Sequence, residues 1–244
     1  MSKIEWTEQT WNPVTGCTKV SPGCKHCYAE TMAKRLQAMG APGYENGFKV
    51  SLLPERLNQP LRRKKPTMYF VNSMSDLFQE EVPFEFVEQV MEVIENTPWH
   101  TYQILTKRSS RMREYFESRS VPDNAWLGVS VENKKNGKPR ISDLQAIKAQ
   151  TRFLSVEPLL ECLGRVSLKG IHWVIVGGES GLRARPMKEE WVLSLRDKCE
   201  KTNVDFFFKQ WGAWGKDGVK RSKKANGRKL QGQTWDMIPA VALQ

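Results

Sequence analysis

Three cysteines near the N-terminus are the residues best suited to chemistry. Cys17, Cys24 and Cys27 fall within eleven residues in the pattern C-x6-C-x2-C, although the whole chain of 244 residues has only five cysteines. Core thiols are usually scattered, and a disulfide framework would leave one of the three unpaired. Three clustered thiolates suit a metal centre that takes three protein ligands and keeps one position open. The pattern therefore predicts a metal centre in residues 17–27.

A [4Fe–4S] cluster and a zinc ion are the two centres that this pattern allows. In a [4Fe–4S] cluster, three thiolates would bind three of the four irons and leave the fourth free for a small molecule. A zinc ion would need a fourth ligand from His26, Cys162 or Cys199. His26 is adjacent to Cys27, which is cramped for a tetrahedral site. Cys199 lies in an apolar helical stripe and is interpreted as a core thiol, whereas Cys162 in its loop stays open.

Alternating strands and helices must position this centre. Nearly continuous apolar runs predict strands at 68–71, 102–105, 126–131, 153–156, 172–176 and 205–208, with a weak strand before Cys17. Helical patterns separate most of them, and one helix starts directly after Cys27. Apolar strands of this kind are typical of parallel sheets buried on both faces. The sequence predicts an α/β fold, a partial or complete (β/α) TIM-like barrel of six to seven parallel strands. No G-x-G-x-x-G motif follows the first strand, which disfavours dinucleotide binding.

Polar side chains follow each predicted strand. They are Asn72, Ser75 and Asp76, then Lys107 and Arg108, Ser130 and Glu132, Glu157, Glu179, and Lys209. In parallel β/α folds, function collects at the C-terminal ends of the strands. The three glutamates sit among apolar neighbours, where an unpaired carboxylate is unfavourable, and the three cations offer matching charge. The pattern predicts one shared polar site that faces the cysteines.

The charge of the chain indicates a polyanionic partner. Its formal net charge is +11, and residues 212–233 hold seven Lys or Arg against one Asp. This balance favours DNA or RNA as a partner. We therefore expect a barrel over residues 1–211 and a mobile basic segment over 212–244 whose last part docks back. No apolar run approaches the ~20 residues of a membrane helix, and no signal peptide is evident, so we expect no membrane association and a reducing cytoplasm.

The chain resembles a phage- and prophage-associated family of three-cysteine proteins of unknown function. The resemblance rests on WTEQTWNPVTGC at 6–17, the remaining cysteines with Tyr28, and NSMSDLF, LTKR, GVSVEN, SVEP, GGESG and KQWG at 72–78, 105–108, 128–133, 155–158, 177–181 and 209–212. That family is similar to the radical S-adenosyl-L-methionine (radical SAM) superfamily, in which spore photoproduct lyase acts on nucleic acid. The superfamily's common spacing is C-x3-C-x2-C, and its Gly-Gly-Glu motif follows the second strand rather than a late one.

The resemblance implies a [4Fe–4S] cluster on Cys17, Cys24 and Cys27, with SAM on the open iron and a 5′-deoxyadenosyl radical as the reactive species. Candidate cofactor contacts are Tyr28, Asn72, Ser75, Asp76, Ser130, Glu132 and Glu157. Candidate substrate contacts are Lys107, Arg108, Glu179 and Lys209. An electron donor protein is an implied partner. Two alternatives stay open: a nucleic-acid-binding protein with a structural zinc or iron–sulfur site, and a radical SAM enzyme that acts on a small metabolite.

Overall fold

One parallel sheet forms the centre of the structure, a computed structural model that describes residues 4–240. Its strands, in chain order, are β1 (Gln9–Trp11), β4 (Met68–Val71), β5 (Thr101–Thr106), β6 (Ala125–Ser130), β7 (Thr151–Val156), β8 (Trp173–Gly177) and β9 (Asp205–Gln210). The seven strands lie in this same order in the sheet, and every neighbouring pair is parallel. The sheet curls into a half-barrel with β1 and β9 at its edges. The prediction of a partial barrel is confirmed.

Most of the helices connect neighbouring strands of the sheet, whereas β7 and β8 are joined without a helix and the last, short helix follows β9. They are α1 (Tyr28–Ala38), α2 (Phe84–Glu95), α3 (Ser109–Phe116), α4 (Lys134–Ala146), α5 (Glu189–Thr202) and a short α6 (Lys223–Asn226). Two small antiparallel pairs complete the fold: β2 (Val14–Thr15) with β3 (Ser51–Leu52), and β10 (Lys229–Leu230) with β11 (Gln233–Thr234). Consecutive strands are neighbours because each β-α unit returns to the adjacent sheet position, as such right-handed crossovers do.

A second core of aromatic side chains fills the concave side of the half-barrel. Its members are Trp6, Phe70, Trp126, Phe153, Trp173, Ile175 and Phe207, and all are buried. Trp173 lies at the centre, with its ring centroid 6.1 Å from that of Trp6 and 6.0 Å from those of Trp126 and Phe207. Large aromatic rings contribute much apolar area, so a few of them close the interior. These side chains fill the middle of the half-barrel, and a cavity large enough for a ligand lies at the C-terminal ends of the strands.

The C-terminal segment runs along the β9 edge of the sheet. The Phe208 N–H donates to the Trp235 carbonyl over 2.8 Å, and the Trp173 indole N–H donates to the Met237 carbonyl over 2.8 Å. At the same open side, Lys223 of α6 pairs with Glu5 at 3.2 Å. The N-terminal and C-terminal segments thus meet across the opening of the half-barrel. Within residues 4–240, no helix is long and apolar enough to span a lipid bilayer.

A close cross-strand contact of the inner core gives a stability prediction. Gly128 in β6 pairs with Phe153 in β7, and a Cβ at position 128 would lie 2.4 Å from the Phe153 Cζ. Gly128→Ala should therefore overpack the core and lower the free energy of unfolding by about 1–3 kcal/mol. Phe153→Leu should relieve the clash, so the double variant should be more stable than the sum of the two single effects predicts. Urea unfolding of all four proteins measures this, and strict additivity would contradict it.

Candidate functional site

A cavity of about 510 Å³ lies at the C-terminal ends of the strands and brings the predicted site residues together. It is lined by Cys17, Cys24, Cys27, Tyr28, Asn72, Ser75, Asp76, Lys107, Arg108, Ser130, Glu157, Glu179 and Lys209. Of the predicted cofactor and substrate contacts, Glu132 alone does not line it. The clustering follows from the parallel sheet, because all strands end on the same side.

The cysteine loop, residues 17–27, enters the site through a glycine. Gly16 has φ 80°, and a Cβ there would lie 2.0 Å from the carbonyl oxygen of Lys49. Only glycine fits this close approach, which places Cys17 directly at the cavity. A 3-10 turn at Pro22–Cys24 then reverses the chain. Cys27 is the N-cap residue of α1.

The thiols of Cys17 and Cys24 have different electrostatic surroundings. Burial, with the nearby Asp76 carboxylate, raises the pKa of Cys17 to about 11 although the Arg108 guanidinium opposes this. Burial also acts against ionisation of Cys24, but the Lys107 ammonium and hydrogen bonds from Val20 and Ser21 outweigh it and lower the pKa of Cys24. The side of the cavity next to Cys24 therefore favours a thiolate.

In residues 4–240, no three His, Cys, Asp or Glu side chains are grouped as the ligands of one metal ion would be. A zinc ion needs all of its ligands at about 2.0–2.3 Å from one point, whereas each cysteine of a [4Fe–4S] cluster binds a separate iron. Cys17, Cys24 and Cys27 line one cavity together. Cys199 is a core thiol as predicted, and Cys162 lies outside the cavity lining.

Asp76 joins the ends of β4 and β5. Its carboxylate accepts hydrogen bonds from the Thr106 hydroxyl at 2.7 Å, the Lys107 N–H at 3.0 Å and Arg108 Nη1 at 3.2 Å. The residue is only 5% exposed, so these donors replace water around a buried charge. Asp76 is thus a structural anchor of the site.

Arg108 is fully used by protein contacts. Its Nε donates to the Glu80 carboxylate, its Nη1 to Asp76 and to Cys17 Sγ at 3.3 Å, and its Nη2 to the Thr18 carbonyl and hydroxyl at 3.1 and 2.8 Å. The side chain is buried. Because every guanidinium nitrogen has a protein partner, Arg108 holds the cysteine loop, and Lys107 and Lys209 are the better candidates for an anionic substrate group.

Glu132 lies beneath the cysteine loop rather than in the cavity lining, and its contact with a cofactor stays a prediction. The carboxylate is fully buried, pairs with Arg140 Nη1 at 2.5 Å and accepts a hydrogen bond from the Ser21 hydroxyl. A Cβ on Gly23 would come within 2.7 Å of Glu132 Oε1, so the loop packs directly on this carboxylate. Arg140 satisfies the buried charge, so Glu132 has no need of a ligand.

Glu179 is likewise paired. Arg185 approaches it at 2.6 Å and donates from Nη2 to the Pro22 carbonyl at 3.0 Å. Burial opposes ionisation of Glu179, but the hydrogen bonds from Arg185 lower its pKa. Sequence reasoning missed both Arg140 and Arg185. Neither lies next to its carboxylate in the chain, although the position of Arg185 just after the Gly-Gly-Glu motif was a weak signal.

Two lysines and their partners complete the polar lining of the cavity. Lys209 pairs with Glu157 at 3.1 Å, and the Ser155 hydroxyl donates to Glu157 at 3.2 Å. Lys107 Nζ donates to the Ser130 hydroxyl at 3.1 Å. The two ammonium groups give this cavity the positive charge that can bind an anionic group.

Several buried polar atoms of cavity-lining residues lack a hydrogen-bond partner within the described chain. They are Trp6 Nε1, Asn72 Nδ2 and Gln210 Oε1. Asn72 has φ 57°, and its Oδ1 accepts from the Val14 N–H, which fixes the amide. Tyr28 donates its hydroxyl proton to the Ser73 carbonyl, and Ser75 donates to the Val14 carbonyl at 2.8 Å. Unpaired buried polar groups are unfavourable, so Trp6 Nε1, Asn72 Nδ2 and Gln210 Oε1 are the atoms suited to contacts with a ligand.

One family model matches nearly the whole chain. A family model described as "Protein of unknown function (DUF5131)" matches residues 1–239. No curated protein matches the chain.

The chain is similar in structure to spore photoproduct lyases at low sequence identity. One variant with dinucleoside spore photoproduct has a TM-score of 0.48 at 14% identity, with 87% of this chain and 68% of that chain covered. Another, with bound S-adenosylmethionine (AdoMet) and dinucleoside spore photoproduct, has a TM-score of 0.47 at 12% identity and coverages of 80% and 62%. A further variant covers 70% of this chain and 55% of that chain at a TM-score of 0.47 and 12% identity. The chain thus spans less than two thirds of several of these lyase chains.

The close approach at Gly16 predicts a sharp difference between two glycines. Gly16→Ala should clash with the Lys49 carbonyl, displace Cys17 and lower the free energy of unfolding by more than about 2 kcal/mol, since backbone atoms cannot move aside cheaply. Gly40 is the matched control, because it also has positive φ (66°) but nothing within 4 Å of its Cβ position. Gly40→Ala should lose only about 1 kcal/mol. Denaturant unfolding of both variants tests this, and equal losses would contradict the assigned approach.

Proposed function

We propose that this chain, which belongs to the family of proteins of unknown function DUF5131, is a radical SAM-type iron–sulfur enzyme. Its substrate in this proposal is a nucleic acid or a nucleotide. One observation carries the proposal. Three cysteines line a single polar cavity at the C-terminal ends of an all-parallel half-barrel. A site of this make-up can hold a three-cysteine cluster and, next to it, a polar organic cofactor.

In this proposal Cys17, Cys24 and Cys27 hold a [4Fe–4S] cluster, and SAM lies beside it. When bound, the two supply one-electron radical chemistry directed at a C–H bond. The protein's own part is to bind, orient and exclude water. Asn72 Nδ2 is a buried donor with no partner in the described chain, so it is assigned to an acceptor group of SAM.

Lys107 and Lys209, with their partners, are assigned to an anionic substrate group. Lys107 and Lys209 carry positive charge into the cavity, and Ser130 and Glu157 orient them. Ammonium groups held in this way bind phosphate as point charges. Ser75 and Tyr28 lie at the same cavity and complete the polar lining. The substrate class that fits is one with at least one phosphate next to the reacting carbon.

Basic side chains at the rim favour a nucleic acid over a free metabolite. The exposed cations of the C-terminal segment include Lys216, Lys220, Arg221, Lys223, Lys224 and Lys229. Lys223 of α6 itself lines the cavity. Exposed cations on the segment that borders a site attract a polyanion and add contacts beyond the reacting nucleotide.

Anaerobic reconstitution tests the metal assignment. The protein and its Cys162→Ala variant should both turn brown and bind about four irons per chain, because Cys162 lies outside the cavity. Cys24→Ala should lose the colour and most of the iron, since only two ligands remain. Iron analysis and visible spectra give the readout. A colourless protein with one tightly bound zinc per chain would rule out the radical assignment.

Salt dependence of DNA binding tests the polyanion assignment. For duplex DNA the slope of log K against log salt should be about −0.9 per phosphate neutralised. Changing Lys216, Lys224 and Lys229 to Gln should weaken binding and reduce the slope toward zero by up to about 3 units, because each lost contact removes one phosphate. The matched control changes Lys148, Lys169 and Lys201, which are exposed near the other end of the strands. Equal effects of both sets, or binding indifferent to salt, would contradict the assignment.

Measurement of 5′-deoxyadenosine separates the candidate substrates. With the cluster reduced and SAM present, the proposal expects this product to form faster when DNA is added than with free nucleotides. Formation that needs no polymer would favour a small-molecule substrate. DNA binding without any 5′-deoxyadenosine would favour a binding protein with a structural metal site.

A further inference from the structure

Three carboxylate–arginine pairs surround the segment between the first two cysteines, residues 18–23. The carboxylates are those of Asp76, Glu132 and Glu179, and each is buried. They follow β4, β6 and β8, which are the second, fourth and sixth strands in the order of the sheet. Alternate strand ends thus place a buried negative charge under the same loop.

Each pair makes a contact with a different part of the segment. Arg108, paired with Asp76 at 3.2 Å, donates to the Thr18 carbonyl at 3.1 Å and to its hydroxyl at 2.8 Å. Glu132, paired with Arg140, accepts from the Ser21 hydroxyl.

The third pair reaches the turn before Cys24. Arg185 is bonded to Glu179 through both Nε at 2.9 Å and Nη2 at 2.6 Å, and Nη2 also donates to the Pro22 carbonyl at 3.0 Å. The bidentate pair with Glu179 fixes the plane of the guanidinium, so its remaining donor has a defined direction.

The segment has little else to hold it. Its 3-10 turn at Pro22–Cys24 contains no buried residue, and residues 18–20 are exposed. The other ion pair of the segment, Lys19 with Glu30 at 2.8 Å, has a Lys19 side chain that is 53% exposed. An exposed pair of this kind contributes little order. The three carboxylate–arginine pairs are therefore the contacts that mainly fix the course of the backbone from Cys17 to Cys24.

We propose that Arg108, Arg185 and the Glu132–Arg140 pair are positioning residues that hold Cys17 and Cys24 in a ligating arrangement before any cluster binds. The proposal rests on the proposed function in one respect, namely that the cysteines ligate a cluster. It goes beyond that function because it assigns the order of the loop to three charge pairs rather than to the metal. Arg108 adds a direct hydrogen bond to the Cys17 sulfur.

Arg185 allows the most direct test, because its side chain is 29% exposed, against 6% for Arg108 and 7% for Arg140, so its loss should destabilise the fold least. In Arg185→Gln without metal, backbone amides of residues 18–24 should exchange hydrogen at least several-fold faster than in the wild type. In the reconstituted variant, a ferrous chelator should remove iron several-fold faster. Arg185→Lys should show smaller increases in both rates than Arg185→Gln, because it keeps the charge but loses the bidentate geometry.

Arg183→Gln is the matched control, since Arg183 is exposed on the same loop two residues away. It should change neither the exchange rates nor the loss of iron. Unchanged exchange in Arg185→Gln would overturn the assignment of loop order to the pair. Faster exchange with unchanged iron loss would overturn the role in cluster binding.

The two proposals fail in different ways. A wild-type protein that takes up no iron overturns the proposed function. The hydrogen-exchange comparison uses the metal-free protein, so it still decides whether Arg185 holds the loop.

Discussion

A carboxylate buried at the end of a parallel strand has to be paired, and this constraint shapes the site. Asp76, Glu132 and Glu179 lie out of water, where an uncompensated charge would be strongly destabilising. Arginine is suited to such positions because its planar group binds a carboxylate and still has donors left. Those remaining donors, from Arg108 and Arg185, are the ones that contact the cysteine loop. These arginines, which neutralise the strand-end carboxylates, therefore also hold the cysteine loop.

The inner aromatic core explains why residues 4–240 form no second ligand cavity inside the half-barrel. A sheet with two free edges would leave its concave face open to water, but Trp173 and its neighbours fill it. The C-terminal segment then covers the β9 edge through the Phe208 and Trp173 hydrogen bonds. Ligands are thus directed to the strand ends, where the polar residues lie. Because Lys223 comes from this same segment, the part that closes the sheet also brings positive charge to the rim.

Sequence reasoning predicted the parts of the structure that depend on local pattern. Apolar runs located the strands, and parallel topology then required their polar ends to meet, which is why Asn72, Ser130 and Lys209 fall in one cavity. Ion pairs between side chains that the fold brings together could not be predicted in this way. Nothing in the local pattern shows that Arg140 reaches back from α4 to pair with Glu132. Charge pairs of this kind depend on where helices pack, and spacing along the chain does not encode that.

The long gap between the first two cysteines is consistent with a cluster site once its contacts are considered. Doubling a flexible loop from three to six residues costs only about 0.6 kcal/mol of closure entropy, so length by itself does not prevent ligation. The path of the added residues matters more. Here they extend over the ends of alternate strands, where Thr18, Ser21 and Pro22 each meet a charged partner. The six-residue gap therefore supplies one contact to each of the three charge pairs.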